Sequence, residues 1–382
     1  VTTDPKTTSD APKEVKADFK EVQRSEFGAN LVTKPHLVTN HIDRGREILV
    51  QDAQNQLALI SRDGKILWRK NLAGRLVENS IQQIDFYNNG KLQYALATDR
   101  EIFVLDRLGR ALPNFPVKLP ERAQIQSLTV IDYDNSKDYR FLAADQNGRL
   151  YLYDKEGKGL DGWNPKTLSP RLASAAVHRR IGSKDCFLAI QRDGTANLIK
   201  RNAKQYPNFP IRFETPIGNP FLLFDGNKME NTEVLTLSEL GELLRFNFKG
   251  EILKREKLPS EGEMRFSLIP DAVRGDTWVS VRKDDKGFSV LSAEGRERFR
   301  VSTPKAKTAD FQYYRFRAGR EWLVWLDRGS QKAEIFDALS GEKVLSLDTV
   351  SEIALLYSES KQELNIFRTY GKLCQKLRMK GF

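Results

Sequence analysis

The sequence is poor in the residues that build metal and redox centres. Its 382 residues include only two cysteines and three histidines. Cys186 and Cys374 are far apart and no CxxC pair occurs, which argues against a disulfide framework or a zinc site. His36 and His41 are close in sequence but His178 is distant from both, so the histidines do not form a transition-metal spacing. We therefore expect no bound metal and no cofactor.

Long apolar runs are missing as well. No stretch approaches the roughly 18 consecutive apolar residues of a membrane-spanning helix. The chain begins at Val1 and lacks the charged and apolar segments of a signal peptide, so we interpret it as a processed or excised piece. The G-x-S-x-G turn that carries the nucleophilic serine of many hydrolases does not occur either. The sequence therefore predicts no transmembrane segment and gives no indication of that hydrolase class.

Basic residues exceed acidic ones, with 62 Lys and Arg against 51 Asp and Glu and a net charge of +11. The first 27 residues hold five basic and six acidic residues, so the excess belongs to the rest of the chain. Such a surface attracts nucleic acid, anionic lipid or acidic glycan, or it is simply solvated. The aromatic and arginine-rich stretch 313–317 alternates as a strand does, so we expect no nucleic-acid partner.

The composition divides the chain into a tail and a domain. Residues 1–20 are rich in Thr, Lys, Asp and Pro, which predicts a flexible tail or linker. Further along, runs of about five β-branched and aromatic residues alternate with polar turns, as at 102–105 and 150–153. No convincing stretch shows the 3.6-residue apolar period of a helix. We therefore predict an all-β domain over residues 21–382.

One element recurs along this domain: an apolar strand, a polar pair, a turn residue that is usually glycine, and a second strand. The turn residues lie at positions 64, 109, 157, 203, 250, 295 and 341, which are 45 to 48 residues apart. An eighth marker, Gly371, follows after only 30 residues. Glycine suits such turns because a tight hairpin needs a positive φ, which glycine adopts without steric cost. The regular period indicates a repeat architecture.

Each unit contains four strand-like runs, as between residues 79 and 119. Four strands per repeat of this length are typical of a β-propeller with four-stranded antiparallel blades. The eight turn markers predict eight blades, and a seven-bladed ring with a C-terminal extension is the alternative. The last unit lacks about one strand, and a ring must close because an unpaired edge is a liability. We therefore predict that an N-terminal strand within 22–32 completes the last blade by pairing with the 350–380 region.

The repeat resembles that of the pyrroloquinoline-quinone-like, or WD40-like, β-propeller superfamily. Segment 57–68 has the apolar strand, the Asp-containing glycine turn, and Trp68 four residues after the glycine. Other units hold Pro113, Asp161 and Lys254 at that place, so we expect tryptophan docking between blades to be mostly absent. Quinone-dependent dehydrogenases of this class carry adjacent cysteines over the cofactor. This chain has no adjacent cysteines, so we do not predict that activity.

A closer resemblance is to the C-terminal propeller of large uncharacterised bacterial cell-envelope proteins. It is carried by segments 47–52, 89–94, 132–135, 137–140 and 162–165. In that family the propeller follows an export segment and another domain. The resemblance therefore implies an exported protein that is periplasmic or associated with the outer membrane, and it implies no particular activity.

Three aromatic residues recur at the blade period and are the candidate binding residues: Phe115, Trp163 and Phe209. Each lies beside Asn and Pro, and Phe115 and Phe209 share the sequence Pro-Asn-Phe-Pro. An aromatic rim of this kind suits contacts with protein or sugar. The alternative is that each ring seals the gap between two blades.

Two further motifs have competing explanations. Asp132, Asp134 and Asp138 resemble a calcium loop, since calcium binds six to eight oxygens, but Asx turns explain them equally well. Segment 157–162 matches G-x-G-x-x-G, yet Trp163-Asn-Pro follows it where a dinucleotide site needs a helix. Neither motif changes the expectation that the chain binds no metal and no cofactor.

Loops on a rigid ring are where a propeller carries its function. We predict a non-catalytic binding or scaffolding propeller of the bacterial cell envelope with a protein partner, resembling the propeller lipoproteins that assist outer-membrane protein assembly. The alternative is a glycan- or ligand-binding propeller, with or without calcium. A propeller enzyme is a third hypothesis.

Overall fold

The structure is a computed structural model that describes residues 19–120, 122–304 and 309–381. Within them, 32 strands form eight antiparallel sheets of four strands each. These sheets are the blades of a ring, which confirms the predicted eight-bladed β-propeller and excludes the seven-bladed alternative. The division into a 1–20 tail and a domain stays a prediction, because residues 1–18 lie outside the described residues.

The strands of the first four blades follow β1 (Lys20–Glu26) in chain order. Blade 1 comprises β2 (His36–Thr39), β3 (Arg46–Gln51), β4 (Gln56–Ile60) and β5 (Ile66–Asn71). Blade 2 comprises β6 (Gln82–Ile84), β7 (Gln93–Ala97), β8 (Glu101–Leu105) and β9 (Val117–Lys118). Blade 3 comprises β10 (Ile125–Asp132), β11 (Tyr139–Asp145), β12 (Arg149–Tyr153) and β13 (Lys166–Thr167). Blade 4 comprises β14 (Val177–Ile181), β15 (Lys184–Ile190), β16 (Thr195–Lys200) and β17 (Ile211–Arg212).

The remaining blades continue in the same order. Blade 5 comprises β18 (Phe221–Phe224), β19 (Glu233–Leu237), β20 (Glu242–Asn247) and β21 (Ile252–Lys257). Blade 6 comprises β22 (Arg265–Pro270), β23 (Trp278–Lys283), β24 (Gly287–Leu291) and β25 (Glu297–Ser302). Blade 7 comprises β26 (Asp310–Arg315), β27 (Glu321–Asp327), β28 (Lys332–Asp337) and β29 (Lys343–Asp348). Blade 8 comprises β30 (Ala354–Ser358), β31 (Glu363–Tyr370), β32 (Leu373–Lys380) and β1.

The middle strands of each blade form the core of the ring. Strands β7 and β8 of blade 2 and β27 of blade 7 are buried along their whole length. Strands covered on both faces favour continuous apolar runs, which is why these segments stand out in the sequence. The fourth strand β5 instead alternates between half-buried and exposed residues, because only one of its faces packs against the ring.

Helical structure is minor in the described part of the chain. It comprises two 3-10 turns, Met229–Asn231 and Arg317–Gly319. None of the helices in the described ranges is long and apolar enough to cross a membrane.

Strand β1 closes the ring as the fourth strand of blade 8. It pairs antiparallel with β32, from Lys20 opposite Arg378 to Glu26 opposite Leu373. The Ser25 hydroxyl also donates to a backbone carbonyl in blade 1 at 2.8 Å, so β1 joins the last blade to the first. This confirms the prediction that an N-terminal strand completes the final blade, although the strand begins at Lys20 and ends at Glu26 instead of extending over the predicted residues 22–32.

One turn marker belongs to a different kind of turn. The seven regular markers join the third and fourth strands of their blades and have positive φ, including Ala203 at 62°. Gly371 joins the second and third strands of blade 8, as Gly148 and Gly194 do in blades 3 and 4. The count of eight blades holds because β1 supplies the strand that the last unit lacks.

The alternation of strand direction gives the ring two faces. Turns between strands one and two, and between strands three and four, lie on one face, which we call face A. Turns between strands two and three lie on the opposite face, face B, together with the loops between blades. A parallel bridge between Asp271 and Tyr313 shows that the first strands of blades 6 and 7 run in the same direction. Successive blades therefore present the same type of turn on face A.

Side-chain amides tie neighbouring blades together near the axis. The first strand of a blade leaves backbone groups on its inner edge without a partner strand, and buried backbone groups need partners. Gln83 of blade 2 accepts the N–H of Thr39 at 2.7 Å and donates to the carbonyl of Thr39 at 2.8 Å. Gln312 of blade 7 makes the same pair of hydrogen bonds with Ile353 at 3.0 and 2.9 Å. These amides replace a neighbouring strand and fix the spacing between blades.

Candidate functional site

The three candidate aromatic residues lie in the seams between blades. Trp163 is fully buried, and Phe115 and Phe209 are also buried. The Phe115 ring packs edge-on against Phe141 of blade 3 with centres 5.3 Å apart, and Trp163 lies 4.7 Å from Phe187 of blade 4. This geometry favours the alternative in which each ring seals a gap between blades. A role of these residues in binding stays a prediction.

Tryptophan docking joins two pairs of neighbouring blades, only one of which the sequence spacing predicts. Trp68 of blade 1 donates from Nε1 to the carbonyl of Arg107 in blade 2 at 2.7 Å, and a Cβ on Gly109 would lie 2.8 Å from its ring. Trp163 of blade 3 donates in the same way to the carbonyl of Arg201 in blade 4 at 2.8 Å. Trp163 follows its turn glycine by six residues instead of four, so the fixed spacing misses it.

The Asp-rich turn of blade 3 uses its carboxylates within the protein. Asp132 accepts the N–H of Lys137 at 3.0 Å, and Asp134 accepts a backbone N–H of the same turn. Asp138 forms a two-pronged ion pair with Arg140 at 2.7 and 2.9 Å. In the described ranges, no group of three or more His, Cys, Asp or Glu side chains converges as metal ligands would. The contacts favour Asx turns as the explanation of this motif.

A cavity of about 350 Å³ lies on the axis of the ring. It is lined by the first strands of blades 1, 2, 7 and 8 and by Val273 from a face A turn of blade 6. The Lys34 ammonium in its wall pairs with Glu352 at 2.6 Å. Burial, assisted by Lys34, lowers the pKa of His36 to about 3. His36 is therefore a neutral imidazole in the cavity wall at physiological pH.

The half-buried His36 makes the stability of the protein depend on pH. Above pH 6.5 the side chain is neutral in both the folded and the unfolded chain. Below that value only the unfolded chain takes up a proton, until the pH approaches 3. As the pH falls from 6 to 4, we expect this residue to lower the free energy of unfolding by about 1.4 kcal/mol for each pH unit.

Urea denaturation of the wild type and of His36→Gln at pH 7 and pH 5 measures this contribution. The variant should lose about 2 kcal/mol less than the wild type between the two pH values. His41→Gln is the control, because the pKa of His41 is not lowered as far as that of His36. Equal losses in the wild type and His36→Gln would show that His36 takes up its proton in the folded state.

Large apolar side chains are exposed on face A of blades 1 and 2. Ile42 and Tyr87 lie in turns between strands one and two, and Leu108 lies in a turn between strands three and four. Their exposed fractions are 74%, 52% and 59%. An ion pair between Arg107 and Glu47 joins the two blades on this side of the ring. Large apolar side chains exposed on one face of neighbouring blades are candidate contacts for a protein partner. We call Ile42, Tyr87 and Leu108 the apolar set.

The turns that carry the apolar set are held by internal hydrogen bonds. Asp85 accepts the backbone N–H of Asn89 at 2.9 Å, and Asp106 accepts that of Leu108 at 2.9 Å. The ammonium of Lys137 and the backbone donors around Asp85 lower the pKa of this carboxyl to about 2. The turn is therefore ordered before a partner arrives, and less conformational entropy is lost on binding.

Comparisons with known proteins identify the fold. No family model matches the chain, and no curated protein matches it. BamB from Moraxella catarrhalis is similar at 12% identity with a TM-score of 0.57, covering 95% of this chain and 100% of that chain. A quinohemoprotein alcohol dehydrogenase from Comamonas testosteroni is similar at 10% identity with a TM-score of 0.60, covering 96% and 77%.

A third solved structure is that of BBS1N in complex with ARL6DN. BBS1N is similar at 14% identity with a TM-score of 0.50, covering 87% of this chain and 97% of that chain. At such low identities the similarity concerns the fold alone. The chain is an eight-bladed β-propeller whose fold is similar to those of BamB and the quinohemoprotein alcohol dehydrogenase.

Proposed function

We propose that this chain is a non-catalytic, protein-binding propeller of the bacterial cell envelope, and that it binds its partner through face A. The exposure of Ile42, Tyr87 and Leu108 on ordered turns carries the proposal. Burying one side chain of this size contributes about 1.5–3 kcal/mol, so three of them form an effective apolar anchor.

Two further observations support this function. BBS1N, whose fold is similar, was crystallised in complex with ARL6DN, so a ring of this kind is compatible with binding a protein. The resemblance of the repeat segments to those of envelope propellers supports a periplasmic or outer-membrane-associated location.

Loss of the apolar set should abolish partner binding. The full-length protein and its Ile42→Ser/Tyr87→Ser/Leu108→Ser variant are expressed in the native cell, crosslinked and purified, and quantitative mass spectrometry compares the co-purified proteins. We expect the variant to recover its main partner at about one tenth of the wild-type level or less, because the apolar anchor is removed.

The matched control is Leu240→Ser/Tyr370→Ser, which removes exposed apolar side chains from face B turns. This control should recover the partner at the wild-type level. Loss of the partner in the control and its retention in the face A variant would contradict the proposal. Melting temperatures of the purified variants exclude misfolding as the cause.

A further inference from the structure

A shallow, open basic depression, which we call the groove, lies on face A of blade 4. It has a volume of about 510 Å³ and is bordered by the turns that join strands one to two and three to four. Four of its lining residues are cations: Arg180, Lys184, Lys200 and Arg201. One carboxylate, Asp185, lies among them and is buried. Four cations against one carboxylate give the groove a net charge of +3.

Two other cavities of the ring carry less positive charge. A larger cavity on face B, between blades 5 and 6, has a volume of about 820 Å³ and three cations against two carboxylates. A smaller one between blades 3 and 4 has two cations against one carboxylate. The excess of positive charge is therefore greatest in the groove of blade 4.

Neighbouring side chains hold the two arginines of the groove in place. The Arg201 guanidinium lies over the ring of Tyr133 from blade 3, 4.3 Å from its centre, and Arg180 Nη1 donates to the carbonyl of Tyr133 at 3.5 Å. Asp185 lies 3.6 Å from Arg180 and 3.9 Å from Arg201, at the limit of an ion pair. Trp163 fixes the backbone of Arg201 through its indole N–H. The guanidinium groups are pre-organised, and the distant carboxylate leaves their charge largely available.

Histidine does not add to this charge near neutral pH. His178 lies behind Asp185 and donates to it from Nε2 at 3.0 Å. Burial lowers the pKa of His178, although Asp185 acts in the opposite direction. The net charge of +3 therefore includes no contribution from histidine.

Exposed carboxylates flank the groove on both sides. Asp134 and Asp138 lie on the adjacent face A turn of blade 3, and Asp225 and Glu230 lie on that of blade 5. Two of these carboxylates are already paired, Asp138 with Arg140 and Asp225 with Arg179, and Lys137 and Lys228 lie on the same turns. The surface around the groove is therefore mixed in charge, and the excess of positive charge is confined to the groove itself. A short anionic segment matches an excess of charge that extends over only a few residues.

From this arrangement, we infer that the groove of blade 4 binds a short acidic segment, with Asp or Glu side chains, of the partner protein. This inference rests on the proposed function and adds a second contact on the same face as the apolar set. Arg180 and Arg201 present planar donors that match carboxylate oxygens, and Lys184 and Lys200 supply charge at the rim. The apolar set supplies buried area, and the groove selects partners by charge.

The test uses a fluorescein-labelled octapeptide of alternating Glu and Gly, its Gln-for-Glu analogue and an eight-nucleotide oligothymidylate. Fluorescence anisotropy at 50 mM NaCl should show binding of the acidic peptide, at least tenfold weaker binding of the Gln analogue, and weakening at 300 mM NaCl. The Lys184→Gln/Lys200→Gln/Arg201→Gln variant should bind the acidic peptide at least tenfold more weakly than the wild type.

The control variant removes three exposed cations from face A of blades 1 and 2: Arg62→Gln/Lys65→Gln/Lys91→Gln. Its affinity for the acidic peptide should stay within twofold of the wild type. Equal losses in both triple variants would overturn the inference, because binding would then follow net charge and not the groove. Tighter binding of the oligothymidylate than of the acidic peptide would overturn it as well.

The partner-recovery experiment separates this inference from the proposed function. Retention of the partner by the groove variant, with loss in the apolar-set variant, would overturn the groove assignment and leave the function standing. Retention of the partner by the apolar-set variant would contradict face A binding whatever the peptide measurements show.

Discussion

Deletion of residues 19–27 is expected to lower the melting temperature by about 10 °C or more. Blade 8 would lose its fourth strand, and β32 would expose the edge that now pairs with Lys20–Glu26. The deletion also removes Phe27, which is buried between blades 8 and 1, and the Ser25 contact to blade 1. Losing one buried phenylalanine alone costs about 3–5 kcal/mol. Differential scanning calorimetry of the purified proteins measures the change.

Two comparisons isolate the role of β1 in this experiment. Removal of residues 1–18 alone keeps the strand and should leave the melting temperature within about 2 °C of the full chain. A synthetic peptide of residues 19–34, added in excess to the shortened chain, should raise its melting temperature again, since it binds only the folded ring. An unchanged melting temperature after deletion of residues 19–27 would contradict closure by this strand.

Trp163→Ala is the point substitution with the largest expected cost. The indole is fully buried between blades 3 and 4 and lies against Phe187, so truncation leaves a large cavity. We expect the free energy of unfolding to fall by about 3–5 kcal/mol, measured by urea denaturation. The hydrogen bond from Nε1 to Arg201 contributes a smaller part, and Trp163→Phe should therefore cost about 1–3 kcal/mol.

The same pair of variants separates the two roles considered for Trp163. If Trp163 only fills the seam, each substitution lowers the free energy of unfolding in proportion to the atoms removed, and partner binding weakens only because the turn that carries Arg201 is disturbed. If Trp163 contacts a ligand, Trp163→Phe loses ligand binding while the protein keeps nearly its full stability. The second outcome would contradict the seam role and restore Trp163 as a binding residue.

The architecture could be predicted from the sequence because its signals are local and periodic. Turn residues with positive φ recur between the third and fourth strands of blades 1 to 7, and fully buried strands read as apolar runs. Even Ala203, which lacks the glycine signal, adopts the same turn conformation at the expected position. The short last unit predicted the closing strand because strands must pair.

The site was less predictable because it depends on side-chain direction across the ring. The sequence of the polar turn around Leu108 does not show whether the leucine side chain faces solvent or packs against the ring. The docking of Gln83 onto Thr39 joins residues of different blades with no shared motif. Arg180 lies at the end of the first strand of blade 4, and Arg201 directly follows the third strand. Both residues reach the groove because these two strands end on the same face of the ring. Sequence periodicity locates such residues on blades but does not show which of them face solvent together.

Site-specific photocrosslinking from both faces is the sharpest test of partner binding through face A. A photoreactive amino acid is placed at Tyr87 or Lys184 on face A, and at Leu240 or Arg192 on face B, in otherwise unchanged protein expressed in the native cell. We expect both face A positions to crosslink to the same protein and neither face B position to do so. The adduct at Lys184 should disappear in the apolar-set variant. Crosslinking to that protein mainly from face B, or equally from both faces, would contradict partner binding through face A.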